Sequence, residues 1–279
     1  MYIRFKGGKP KAFTLSYDDG VVQDIRLIEI LNKYGIKATF NINTGHYLSE
    51  EATREKFYGR MKLSEAKKLY IKSGHEVAVH ALTHPFLEKI KTEEIFTEII
   101  EDRKNIEQQY GTLARGMAYP FGTYNDEVVS ALEKCGICYS RTTKTTESFR
   151  FPENWLTLHP TCHHNNPKLM ELSKKFIEEK SLYDSDNWLF YVWGHSYEFD
   201  NNDNWEVIEK FAYDPEADLE NTPDSVFCTH GAAVVVKWYD LKNWQHLENF
   251  LKPKREDVRQ PVSRSQVAEY RSILEQDKE

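Results

Sequence analysis

The sequence predicts a parallel α/β fold, closed into a barrel or wound open, and three observations carry the prediction. Apolar strand-like runs alternate with helix-period stretches between Lys11 and Tyr239, about seven or eight times in all. Glycines and capping residues punctuate the helical stretches, so strand and helix are separable locally. The residues richest in chemistry stand at strand ends, where folds of this kind gather their active groups.

The elements follow in order. "AFTLSY" alternates as a strand and leads into "IRLIEILNKYG", a helix stopped at Gly35. "KATFNINTG" is the second strand. Ser64 starts the helix "LSEAKKLYIKSG", Gly74 stops it, and the strand "HEVAVHAL" follows. Thr92 caps "EEIFTEIIEDRKNIEQQYG", whose acidic first turn suits the helix dipole. The strand "RGMAYP" precedes the helix "DEVVSALEKCG" behind Asn125. "ICYSRT" and "WLTLHPT" are strands, "KLMELSKKFIEEK" a helix, "NWLFYVWGH" a strand and "NWEVIEKFAY" a helix. "SVFCTHGAAVVVKWY" is the last apolar run. With no repeat and no low-complexity linker, residues 1–240 are expected to form one domain. Residues 241–279 are highly charged and are expected to be a peripheral helix or a tail.

Composition narrows the function classes. A chain of 279 residues, 40% hydrophobic, can bury a full core. Its net charge of −7 argues against nucleic acid as the main partner, because phosphate binding needs a basic face. No apolar run reaches bilayer length, so no membrane partner is expected. The opening "MYIRFKGGKPK" lacks the apolar segment of a signal peptide; if Met1 is the natural start, the expectation is a cytoplasmic protein. Nothing in the sequence sets the oligomeric state. Cys135 and Cys138 have the C-x-x-C spacing of redox or zinc pairs. A helix end stopped at Gly136, followed by a buried strand start, accounts for the same letters.

The strand ends are where chemistry collects. "TLSYDDG" closes the first strand with adjacent carboxylates, Asp18 and Asp19. An Asp-Gly turn would account for them alone. Yet the third strand ends in "VHALTHP", with His80 and His84 four apart, a spacing that suits a shared metal. The fourth ends in "AYPFG", where Pro120 and Gly122 shape a turn that can aim an amide at a ligand. The seventh ends in "WGHSYEF", where His195 is either a structural or an acid-base histidine. Each has an ordinary explanation when taken singly; at one end of one sheet they describe a site.

In this order "TLSYDDG", "HALTHP", "AYPFG" and "WGHSYEF" resemble the motifs of polysaccharide deacetylases (carbohydrate esterase family four, the NodB-homology domain), over Lys11 to Trp238. The resemblance implies a distorted (β/α) barrel of about seven parallel strands. It implies removal of N-acetyl groups from an acetylated saccharide, with one divalent metal ion, most often zinc, held by Asp19, His80 and His84. Asp18 would be the general base, His195 the general acid, and the backbone N–H of Phe121 an oxyanion donor. Tyr119, Pro120, Tyr124, Trp193 and His163 are expected to line the substrate, with Asn43, Thr44, Trp155 and Tyr197 as further candidates.

The chain also departs from the pattern. The first position of the third motif, commonly an Arg paired with the catalytic Asp, is Ala118, and Arg115 lies too early to replace it. Trp193 stands where a leucine is common. "HPTCHH" replaces the usual Asp-Trp motif, where either His163 or His164 orients a catalytic group or the segment is a polar loop. Alternatives on the same fold are an O-acetyl carbohydrate esterase, a small-amide (ureide-type) hydrolase, and a non-catalytic sugar-binding relative. An iron-dependent oxygenase also uses two histidines and a carboxylate, but the alternation of strand and helix argues against its usual all-β scaffold.

Overall fold

The computed structural model describes residues 5, 10–52, 59–179, 187–212 and 225–227. Its strands are β1 (Lys11–Asp18), β2 (Ala38–Ile42), β3 (Glu76–Val79), β4 (Gly116–Ala118), β5 (Tyr139–Arg141), β6 (Cys162–His163), β7 (Trp188–Gly194) and β8 (Ser225–Phe227). They form one sheet in the order β5-β4-β3-β2-β1-β7-β6, with β8 beside the first residues of β1. Every ladder is parallel. The helices are α1 (Asp24–Lys33), α2 (Leu63–Ser73), α3 (Thr92–Tyr110), α4 (Asp126–Lys134), α5 (Leu169–Glu178), α6 (Tyr197–Asn201) and α7 (Trp205–Ala212). No described helix is long and apolar enough to cross a membrane.

The sheet curls into a half-barrel, and one irregular segment reaches both of its flanks. On one side Leu158 N donates to Ser140 O (2.9 Å) and Thr142 N to Leu158 O (3.0 Å); on the other, Thr161 N donates to Tyr191 O (2.8 Å). "WLTLHPT" is therefore not the expected strand. Asn154 accepts from Leu156 N and starts a 3-10 turn at Trp155–Thr157, and Pro160 has no N–H with which to continue a ladder.

Strand periodicity fixes which face carries the chemistry. β1 is buried at every position, and its alternate residues divide between two environments. Phe13, Leu15 and Tyr17 join the main core under the helices. Ala12 packs with Tyr139, Leu158, Leu189 and Tyr191 in a second cluster. Thr14, Ser16 and Asp18 continue along the face of Ala12, so a carboxylate tops that row.

Local signals set the helix ends. Gly74 and Gly111 stop α2 and α3 in the left-handed conformation, φ 69° in each, and Asn125 accepts from Val128 N to cap α4. The expected starts at Ser64 and Thr92 differ. Glu65 accepts from Lys62 N and Glu94 from Lys91 N, both at 3.0 Å, because a carboxylate three residues into a helix reaches back to the cap amide. At the C-x-x-C, Cys135 ends α4 and burial pushes its thiol up to about 12; Cys135 and Cys138 are both free. The expectations for 228–239 and for the 241–279 extension lie outside the described residues.

Candidate active site

The register of the sheet converts the separate motifs into neighbours. Asp18 pairs with Asn41 across β1 and β2, and Tyr17 with Gly194 across β1 and β7. His195, one residue beyond β7, therefore emerges beside Asp18 and Asp19. Val79 pairs with Met117, so His80 and Ala118 are the next residues along. The backbone is strained at these ends. Asp19 (φ 84°), Ala81 (61°), His84 (57°) and Phe121 (58°) hold positive φ without being glycine. Such conformations persist only where the surroundings enforce them.

Asp18 is buried, accepts from Asn41 Nδ2 at 2.9 Å and is gripped by Arg141 Nη2. Arg141 is itself wholly buried. It also donates through Nε to Ser16 Oγ (3.2 Å) and through Nη1 to Thr142 O (3.1 Å), and its guanidinium lies 4.5 Å from the Trp193 ring centroid. Burial opposes the charged carboxylate, but Arg141, then His80 and His195, outweigh it and hold Asp18 at about 2. It is ionised throughout the neutral range.

Asp19, His80 and His84 present ligand atoms that all lie within 4.8 Å of one another. His80 Nε2 and His84 Nε2 are 3.2 Å apart, and His84 Nε2 is 4.0 Å from Asp19 Oδ1. His80 Nδ1 lies 2.8 Å from Ala118 O. A carbonyl can only accept, so the proton sits on Nδ1 and Nε2 offers a lone pair. Burial lowers the pKa of both imidazoles; for His84, burial and then His80 bring it to about 4. Two neutral imidazoles and a carboxylate form a donor set suited to a divalent transition metal. Arg60 holds the carboxylate from the side, contacting Asp19 O and, at 3.1 Å, Asp19 Oδ1. Beneath His80, the buried Asp102 accepts from His80 N (3.0 Å) and from Thr44 N and Oγ1 (2.8 and 2.6 Å).

His195 Nε2 is 3.9 Å from Asp19 Oδ2, and its Nδ1 is 3.3 Å from Glu198 Oε2. Burial disfavours its protonation, but Glu198, Asp18 and Asp19 reverse this and raise its pKa above the ordinary imidazole value. His163 and His164 gather on the same carboxylate, with Nε2 atoms 3.0 and 3.3 Å from Glu198 Oε2.

Comparison with known proteins now bears on this arrangement. Residues 6–140 match the family described as polysaccharide deacetylase. Over those residues the chain is similar to the polysaccharide deacetylase family. It is 25% identical over 143 residues to the peptidoglycan-N-acetylglucosamine deacetylase PgdA of Listeria monocytogenes, covering 50% of this chain and 27% of that protein. It is 26% identical over 128 residues to a chitooligosaccharide deacetylase of Bradyrhizobium, covering 44% of this chain and 52% of that protein. A family 4 carbohydrate esterase from Streptomyces lividans, solved in complex with acetate, has a TM-score of 0.49 at 15% identity, covering 75% of this chain and 91% of that one. The chain thus spans about a quarter of the Listeria relative's length and half of the Bradyrhizobium one.

Asp18, Asp19, His80, His84 and His195 converge, and Trp193 and His163 lie beside them. Phe121 stands at the rim, its half-exposed ring stacked on Phe86 (3.8 Å between centroids) and against His84 (4.5 Å). Other expected substrate residues are placed differently. The Tyr119 ring is buried, its hydroxyl bonded to Leu156 O (2.6 Å) and its face stacked on Tyr124 (5.0 Å); Pro120 is buried as well. These side chains support the fourth strand end rather than line an opening, because strand alternation turns Tyr119 inward. Asn43 is likewise structural, donating to His80 O and Ala81 O. Thr44 is tied to Asp102. Trp155 packs against Phe151, whereas Tyr197 lies over His195 (5.0 Å).

Sequence reasoning missed Arg141 and Glu198. Ala118 pairs with Arg141 in the β4–β5 ladder, so the cation absent from the third motif enters from the neighbouring strand. An arginine inside the apolar run "ICYSRT" was the available signal, since arginine is seldom fully buried unpaired. Glu198, three residues after His195 on the first turn of α6, was equally visible as the spacing that lets a glutamate cap a turn.

Proposed function

We propose that this chain is a polysaccharide deacetylase, a metal-dependent hydrolase that removes N-acetyl groups from an acetylated saccharide. The observation that carries the reading is the division of labour between two adjacent carboxylates. Asp18 is ion-paired with Arg141, its Oδ2 4.0 Å from His80 Nε2, while Asp19 Oδ1 lies 4.0 Å from His84 Nε2 and completes the cluster with the two imidazoles. Asp19, His80 and His84 would hold a divalent ion, zinc being the best match to two imidazoles and a carboxylate. Bound there, the ion supplies polarisation of the acetyl carbonyl and a more acidic water.

The chain's own groups account for the proton movements. Asp18 accepts a proton as a water oxygen bonds to the carbonyl carbon. The Phe121 amide, carried on a left-handed turn at the rim, is offered as a donor to the developing oxyanion. His195, with its raised pKa, gives a proton to the amine nitrogen as the C–N bond breaks. Acetate and a free amino sugar result. The stacked pair Phe86 and Phe121 offers a flat apolar face for a sugar ring. The names of the Listeria and Bradyrhizobium relatives, both acting on N-acetylated sugars, support amide over ester.

The test is metal content together with acetate release from N-acetylglucosamine oligomers and O-acetylated xylan. The expected result is release from the former by wild type, and metal retained but activity lost in Asp18→Asn. Equal release by both proteins removes Asp18 as the base; release from xylan alone moves the assignment to an esterase.

A further inference from the structure

We propose a second divalent-metal site, of the zinc class, formed by His163 at the end of β6, His164 just beyond it, and Glu198 from α6. It is separate from the Asp19, His80 and His84 cluster and does not depend on that cluster being occupied.

The ligand atoms of these three residues lie within 4.8 Å of one another. The contacts of 3.0 and 3.3 Å to Glu198 Oε2 approach the edge of a tetrahedron around zinc, about 3.3 Å for bonds of about 2.0 Å. Hydrogen bonding alone does not account for the cluster. Four nitrogens crowd Glu198 Oε2: His195 N at 2.9 Å, His163 Nε2 at 3.0 Å, His164 Nε2 at 3.3 Å and His195 Nδ1 at 3.3 Å. One carboxylate oxygen has about two lone-pair sites. The His195 amide and His163 use them.

His164 is then left over. It is 1% exposed, and among the described residues neither Nδ1 nor Nε2 has a hydrogen-bond partner. Burial, then His163, brings its pKa to about 3, so it is a neutral ring with a lone pair to share. Its placement is enforced. His164 N donates to Trp193 O (2.8 Å), the ring stacks on Phe199 (4.2 Å), and it occupies the space a side chain at residue 194 would need. A Cβ on Gly194 would fall 2.1 Å from His164 Nδ1. A buried neutral imidazole held against a carboxylate with its ring nitrogens unpaired is the ligand arrangement of a cation site. Two imidazoles and one glutamate are a recognised zinc set.

His163 Nδ1 accepts from Asn165 N at 3.2 Å. In the metal-free protein its proton therefore sits on Nε2 and points at Glu198. Binding an ion through Nε2 would move that proton to Nδ1 and give up the hydrogen bond from Asn165 N. Because His163 ends β6, His164 follows it and Glu198 belongs to α6, an ion here would pin the turn that carries His195.

The experiment is a zinc titration of the full chain, stripped of metal, with Co2+ absorption as a second readout. The variants are wild type, His163→Ala, Glu198→Gln, His84→Ala and the double variant His84→Ala/His163→Ala. The expected stoichiometry is two ions in wild type, one in each single variant and none in the double. The second equivalent should raise the melting midpoint of wild type but not of His163→Ala. Equal stoichiometry in wild type and His163→Ala overturns the proposal and leaves a water or hydrogen bonds in the cluster. One ion in wild type, kept in His84→Ala and lost in His163→Ala, upholds it while removing the Asp19, His80 and His84 site. His163 is partly exposed; should its alanine variant fail to fold by circular dichroism, His163→Gln takes its place.

Discussion

At the end of β3 the ring of His80 has its second nitrogen committed before any ligand arrives; just beyond β6 the ring of His164, though held in place by packing, does not. His80 has its Nδ1 on Ala118 O and its amide on Asp102, so only Nε2 is left to act. Among the described residues His164 has both ring nitrogens unpaired, and His163 and His195 compete with it for one oxygen of Glu198. Both regions rest on a buried carboxylate. Asp102 lies beneath His80, and Asp24 accepts from Ser196 Oγ and Tyr70 Oη, both at 2.5 Å, beneath the turn carrying His195 and Glu198. Burial pushes both up to about 7. The difference teaches that what makes a cluster preorganised is the partner of each second nitrogen, not the number of histidines.

The largest expected effect tests the fixed side. Arg141→Met leaves Asp18 buried without its cation and should cost about 3–5 kcal/mol in denaturant unfolding. Its pH dependence has a definite sign. Asp18 at about 2 lies below its ordinary 3.8, so its contribution to stability is complete above 3.8 and is lost as pH falls through 2. Without Arg141, burial moves the folded value back up toward 3.8 and that acid-dependent loss should shrink; an unchanged acid limb would show that Arg141 is not the group holding Asp18.

Next in size is His195→Gln, which should slow N-acetyl hydrolysis by about 10²-fold or more while sparing an activated ester, because an amine leaving group needs a proton and a phenolate does not. Equal losses on both substrates would assign His195 a positional role. Breaking the loose side should cost less. His163→Ala removes one hydrogen bond to Glu198, and about 1 kcal/mol is expected in metal-free protein; a loss as large as that of Arg141→Met would erase the contrast between the regions.

The smallest effect concerns the supports. Asp24 and Asp102, raised from 3.8 to about 7, bind protons more tightly when folded. The stability this supplies is full below 3.8 and disappears as pH rises to 7. Asp24→Asn should flatten the fall of the melting midpoint across that window, by a few degrees for about 1 kcal/mol. A curve as steep as wild type would mean that Asp24 titrates near its ordinary value.

Much of this was legible in one dimension because the information is local. Gly74, Gly111 and Asn125 end or start helices through their own backbone and side-chain chemistry. Asp18, Asp19, His80, His84 and His195 announced themselves by standing at strand ends, which a parallel fold collects on one side. Ser64 and Thr92 misled because a hydroxyl and a glutamate three residues into a helix compete for the same task, and Glu65 and Glu94 prevailed. Tyr119 and Tyr124 misled because an aromatic near a strand end reads the same whether it faces a ligand or the core.

By itself the sequence determined the fold class, the order of its elements and the identity of the carboxylates and imidazoles, since periodicity and turn chemistry depend on neighbours a few residues away. The tertiary structure decided which groups share a charge. Arg141 meets Asp18 across 123 positions, and Ser196 meets Asp24 across 172. Burial and partner distance depend on the register between strands, and hydrophobic alternation repeats identically for a strand slipped by two residues. Only the assembled sheet, with Ala118 opposite Arg141 and Tyr17 opposite Gly194, sets which cation answers which carboxylate.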